Sequence, residues 1–150
     1  MNYYGWLIFL HIAGIILYVG GDIILNILAL KFYKDHDASG FLKIVKSITP
    51  VVGIGAILTL PSGIGLVLQS STLSFSMFWI LSGLFIVVVA GIFESIYFSK
   101  QVRTIQSILT EKGPADIGIA ARMRHIIKVA AVINLLFLIV IWLMVFKPNV

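Results

Sequence analysis

The sequence predicts an all-α integral membrane protein, a four-helix antiparallel bundle in up-down-up-down order with both termini on the extracytoplasmic side. Three observations predict it. The chain is 60% hydrophobic and only 11% charged, whereas roughly a quarter of the residues of a soluble domain are charged. Four apolar stretches, at about 6–30, 48–69, 75–99 and 129–146, each reach the ~20 residues that a helix needs to cross a bilayer. Ten of the eleven lysines and arginines fall between the first and second or the third and fourth of these stretches, the asymmetry that holds such links on the cytoplasmic side. Residues 1–150 make a single domain in this reading.

The first span carries Tyr3, Tyr4 and Trp6 at its start, aromatic residues suited to the outer interface. No basic segment precedes it and no A-x-A pattern comes after it, so it is expected to be retained rather than cleaved as a signal peptide. In the second span Gly55, Thr59 and Gly63 recur every four residues, a row that lets helices approach closely in lipid. Pro61 removes one backbone donor and predicts a kink, either packing or making room for a ligand. A tight outer link, Ser70–Ser74, leads to the third span, where Gly83, Val87, Gly91, Ser95 and Ser99 form a mostly small row. These rows can be used within one bundle or face a second protomer. Val102, Ile105 and Leu109 carry the helical period onward until Gly113 and Pro114 stop it. Asp116 is placed to cap a helix running through Arg122 and His125 into the fourth span, so the third and fourth helices should extend about two turns past the membrane. Trp142 is a further outer anchor.

The net charge of +5 lies mostly at the cytoplasmic rim in this arrangement, where it suits anionic lipid head groups and calls for no nucleic acid. The expected location is the cell (inner) membrane. The chain has no cysteine, which excludes disulfides, thiolate metal sites and cysteine nucleophiles. No H-E-x-x-H occurs, and Gly53 and Gly55 lack the lysine and hydroxyl residue of a phosphate loop, so neither zinc hydrolysis nor nucleotide binding is expected.

Polar residues within the spans carry the functional question. His11, Tyr18 and Asp22 are spaced seven and four apart and fall within a ~40° sector of a regular helix. Asp22 and Asn26 in the first span, Glu94 in the third and Asn134 in the fourth lie within about 6–12 Å of the cytoplasmic boundary by helical rise. Two carboxyls at one level cannot comfortably both ionise, so one holds a proton or pairs with Lys128 or Arg124 reaching in. The four residues form either an inner pocket for an ion, a proton or a polar head group, or a hydrogen-bonded clasp that fixes register. His11 sits about 7 Å below the outer boundary, roughly 25–30 Å along the membrane normal from His125, so the two cannot share one metal. His36, within KDHD, is expected in a solvated loop. Met77 and Met144 lie near His11 in height. Histidine with methionine suits haem iron and also copper(I); as an alternative, the methionines are core filler and His11 merely finds a hydrogen-bond partner.

The stretch HIAGIILYVGGDIILNILALKF resembles the first helix of an uncharacterised family of small four-helix membrane proteins, which shares the histidine, the aromatic seven residues on and the glycine pair. TPVVGIGAILTLPSGIGL and the closing LMVFKP at 143–148 extend the resemblance over most of the chain. More distantly it is similar to membrane protoporphyrinogen oxidases of the HemJ type and to CopD-type copper-resistance proteins. The resemblance implies haem b bound with His11 as axial ligand; in that reading the Tyr18 side of the first helix lines the pocket, and Met77 and Met144 are candidates by their height near His11. The chain departs from the oxidases where they carry a Pro-Arg step late in the first helix, here Leu25 and Asn26, and a lysine early in the third, here FSMFWILSGL. Those cations would pair with porphyrin propionates, so an autonomous oxidase is not expected, although an oxidoreductase-like role stays open. The alternatives are a non-catalytic accessory or assembly subunit of a membrane complex, with no cofactor, and copper handling through His11, Met77 and Met144.

Overall fold

The structure, a computed structural model, describes residues 3–114 and 116–148. It is all-helical over the spans. Four helices, α1 (Tyr3–Lys34), α2 (Ala38–Gln69), α3 (Phe78–Lys112) and α4 (Ile117–Phe146), are each long and apolar enough to cross a membrane. Large side chains such as Ile16, Ile57, Ile96 and Val145 stand exposed on all four. Such continuous apolar surface fits lipid better than water.

Local chemistry sets the helix ends. Asp37 caps α2 by accepting from the Gly40 amide at 2.8 Å, and Asp116 caps α4 by accepting from the Gly118 amide at 2.7 Å. Gly113 stops α3 with φ +83° and ψ 175°, a region that only glycine enters cheaply. The link before α3 is longer than the sequence suggests, and the helix starts at Phe78 rather than 75. The hydroxyls explain this: Ser70 Oγ accepts from the Thr72 and Leu73 amides, and Ser74 Oγ from the Ser76 amide, offering the backbone an alternative to helix. Beyond the apolar stretches α3 and α4 continue for roughly three turns each, not two.

Helix α1 is not regular. Between α-helical segments at Tyr3–Ile15 and Gly21–Lys34 lies a π-helical turn, Ile16–Gly20. Helix α2, by contrast, runs unbroken through Pro50 and Pro61.

The helices associate as two pairs, α1 with α2 and α3 with α4. Contact between the pairs comes mainly from the second half of α1 against α4, while α2 and α3 barely touch. At the basic end Phe41, Ile105, Met123 and Ile126 close a core together with Ala29 and Ala38. A second core, Tyr18, Val19, Ala90, Ile133 and Phe137, lies in the middle. Past it, toward the chain termini, the pairs part and leave a cleft.

Candidate functional site

The seam between α1 and α2 positions His11. A Cβ on Gly14 would fall 2.5 Å from Thr59 Oγ1 and 2.6 Å from the Thr59 amide nitrogen, and one on Gly55 would fall 2.4 Å from the Tyr18 amide nitrogen. Backbone therefore lies against backbone there, as small residues allow. The row Gly55, Thr59, Gly63 is thus spent within the chain. Gly63 leaves the space the imidazole fills, since a Cβ on it would lie 2.8 Å from His11 Cε1.

Held this way, His11 Nδ1 donates to the Thr59 carbonyl oxygen at 2.9 Å. A carbonyl only accepts, so Nδ1 carries a proton, and in the neutral ring the lone pair is on Nε2. Ser62 Oγ is 3.4 Å from Nδ1, and because it already donates to the Leu58 carbonyl it can only accept at the ring. Among the described residues nothing hydrogen-bonds to Nε2.

His11 opens onto a cavity of about 220 Å³ in the cleft. Its lining is nearly all apolar, with Leu60, Phe75, Trp79, Leu84 and Met144 among the residues that meet there, and Thr59 and the Trp79 indole N–H are the other polar side-chain groups among the described lining residues. Lys147 Nζ lies 5.9 Å from the centre of the Trp79 ring, which puts a cation beside the cleft. Sequence reading missed that contact. The seat itself, TLPSG at 59–63, contains Pro61, whose kink the sequence leaves open between packing and room for a ligand.

The structure divides the predicted set. His11 and Met144 line one cavity; Met77 and Tyr18 lie outside that lining. Met77 instead stands at the N-terminus of α3. Tyr18 is buried against Phe137, ring centres 5.0 Å apart, and its hydroxyl abuts Gly91. The single-face stripe of His11, Tyr18 and Asp22 needs correcting for the same reason. A π turn is wider than an α turn and sets back the phase of every later residue by up to ~100° for one extra residue. His11 hydrogen-bonds α2 and opens onto the cleft, whereas the side chain of Tyr18 packs on α3 and α4 and that of Asp22 reaches Glu94 of α3.

The chain matches no family model, no curated protein and no solved structure. What it can do must be read from its own side chains. Among the described residues no group of three or more His, Asp or Glu gathers as a metal site, so a metal in the cleft would rely on His11.

The inner polar residues form a separate cluster. Asp22 is 2% exposed and Asn134 9%, and the Asp22 and Glu94 carboxyls come within hydrogen-bonding reach of each other. Such a bond requires one of them to hold a proton, because two carboxylates only accept. Neither Arg124 nor Lys128 reaches in. Arg124 is exposed and donates to Tyr33 Oη at 2.7 and 3.0 Å, and no hydrogen bond joins Lys128 to either carboxyl among the described residues. His125 hydrogen-bonds Tyr97. His36, exposed and with φ 54°, occupies the turn between α1 and α2.

Proposed function

We propose that the chain is a four-helix protein of the cell (inner) membrane, antiparallel in up-down-up-down order with both termini extracytoplasmic, that binds haem b through His11. The basic residues support the orientation: the ten between spans gather at the end closed by Phe41 and Met123. One observation carries the haem reading. The Thr59 carbonyl fixes the His11 tautomer, leaving the Nε2 lone pair free on an imidazole that lines an apolar cavity. Metal-binding histidines are usually oriented by such a bond through the other nitrogen.

The donor chemistry and the lining fit a haem. Size limits how it sits, since ~220 Å³ is less than the roughly 300–1,000 Å³ of a typical ligand pocket. His11 would hold the iron, and the apolar lining, Trp79 and Leu84 among it, would meet part of the macrocycle. Lys147, beside Trp79, is available to a propionate in place of the cations absent at Leu25 and Asn26. Bound haem supplies one-electron chemistry at its iron. The chain's own contribution is to orient the imidazole, keep water out and offer a rim cation. Among the described residues His11 is the one lining the cleft with an acid–base side chain, and we read the chain as redox-associated or accessory rather than as an autonomous enzyme.

Purification after haem-replete expression, followed by an absorption spectrum, tests this. A Soret band is expected in the wild type and its loss in His11→Ala. A colourless wild type, or an unchanged band in the variant, overturns the reading. Copper is the second reading, favoured by Met144 sharing the cavity with His11. It predicts copper in metal analysis of copper-supplied protein, lowered by Met144→Leu.

A further inference from the structure

Tyr18 fixes the level of the inner polar cluster. Its ring packs on Phe137 of α4 and its hydroxyl on Gly91 of α3. One turn further along α1 comes Asp22, one turn before Phe137 comes Asn134, and one turn after Gly91 comes Glu94. Three helices thus direct oxygen-bearing side chains to one depth, and Asn26 adds a fourth residue on the next turn of α1.

Apart from the proton that Asp22 and Glu94 share, no donor is placed on three of the oxygens there. Asp22 Oδ2, Asn26 Oδ1 and Asn134 Oδ1 are all buried without a hydrogen-bond partner. Asn134, itself 9% exposed, is independent of the carboxyl pair and points to the same deficit. Few charged or titratable groups face the cluster. Tyr18 is the titratable neighbour one turn away on the same helix and Glu94 the one from α3, while α4 brings the uncharged Asn134 to the same depth. Helix α2 meets this part of α1 through Ile48 and Val52, at Gly21. The nearest arginines on α4 are engaged elsewhere, Arg122 with Gln101 and Arg124 with Tyr33, and Lys128 lies further along the same helix, six residues before Asn134. A proton between Asp22 and Glu94 satisfies one bond and leaves one negative charge in a low-dielectric site, which is costly.

We propose that Asp22, Glu94, Asn26 and Asn134 bind a small monovalent cation of the sodium type in competition with a proton. Hard oxygen donors without nitrogen or sulfur suit such an ion and not copper or zinc. The charges balance in two states. With both carboxyls protonated the cluster is neutral; with one proton and one cation it is neutral again, so each cation bound releases one proton. A water molecule could donate to two of the oxygens but could not neutralise the charge. This site is distinct from the His11 cleft, and its test does not depend on haem.

Purified protein in detergent, weakly buffered near neutral pH, is titrated with sodium chloride against choline chloride at equal ionic strength while proton release and melting temperature are recorded. Saturable release approaching one proton per chain is expected with sodium, accompanied by a rise in melting temperature, and neither with choline. Asp22→Asn and Glu94→Gln should each abolish release. Asn134→Ala, which leaves both carboxyls in place, should weaken the sodium midpoint at least tenfold, and it serves as the test if a carboxyl variant fails to fold. Equal responses to sodium and choline overturn the proposal, as does an unchanged sodium midpoint in Asn134→Ala. A purely structural clasp would lower stability in these variants without any sodium-specific proton release, and that result overturns it too.

Discussion

The closest approach between helices gives the sharpest prediction about the fold. Gly55 faces the α1 backbone, and a Cβ there would lie 2.4 Å from the Tyr18 nitrogen and 2.8 Å from Leu17 C and Tyr18 Cα, where ordinary contact begins at 3.4 Å. Gly55→Ala therefore pushes α1 and α2 apart by about 1 Å, because main-chain atoms cannot swing aside as a side-chain tip can; such overpacking costs ~1–3 kcal/mol. Alanine also gains about 1 kcal/mol over glycine in a helix interior, and this gain must be separated out. Gly53, two residues earlier on α2, does so, since a Cβ there meets nothing within 4 Å. Gly53→Ala receives the same propensity gain without the clash. The difference between the variants thus isolates the seam, at about 2–12 °C in melting temperature if 1 kcal/mol is worth roughly 2–4 °C for a chain of this size. Thermal unfolding of both variants in one detergent measures it. A Gly55→Ala protein as stable as Gly53→Ala would refute the account of the seam, and with it the positioning of His11.

Two further variants probe particular contacts. Gly63→Ala places a methyl 2.8 Å from His11 Cε1; the ring, being a side-chain end, should turn away and lose its bond to the Thr59 carbonyl, so histidine nitrogen NMR should show Nδ1 no longer uniquely protonated while the fold persists. Gly113→Ala forces a side chain into φ +83° and should cost ~1–3 kcal/mol in thermal unfolding, without affecting sodium-linked proton release.

Helix number and ends were largely legible in the sequence, because each rests on local signals. Apolar runs of membrane length marked α1 to α4, and Asp116 and Gly113 marked a start and a stop by chemistry confined to one or two residues. The Ser70–Met77 link was misjudged because the apolar Phe75 reads as span, although serine hydroxyls had claimed the neighbouring amides. The stripe through His11, Tyr18 and Asp22 was mis-phased for a different reason. A common face for the three requires an α-helical turn at every residue, and nothing in ILYVG announces the wider turn at Ile16–Gly20. Small residues signalled a close seam without naming its partner. Only coordinates show that Gly63 faces His11 and Gly91 faces Tyr18.

That wider turn explains how one helix supports two unlike polar sites. Before it, α1 packs chiefly on α2 and its single ionisable span residue, His11, is committed to the Thr59 carbonyl. After it, α1 packs on α4 as well, and Asp22 turns to Glu94. Tyr18 lies within the turn and belongs to both environments, with its amide at Gly55 and its ring on Phe137. A regular α-helix would keep His11 and Asp22 on one face, the one that borders the α1–α2 seam at His11. It would then bring a carboxyl to the seam of Gly14, Gly55 and Gly63, where the backbones leave no room for a partner. The π turn removes that conflict by re-aiming the second half of the helix. One half is left free to serve an apolar cleft, and the other to serve a charged core.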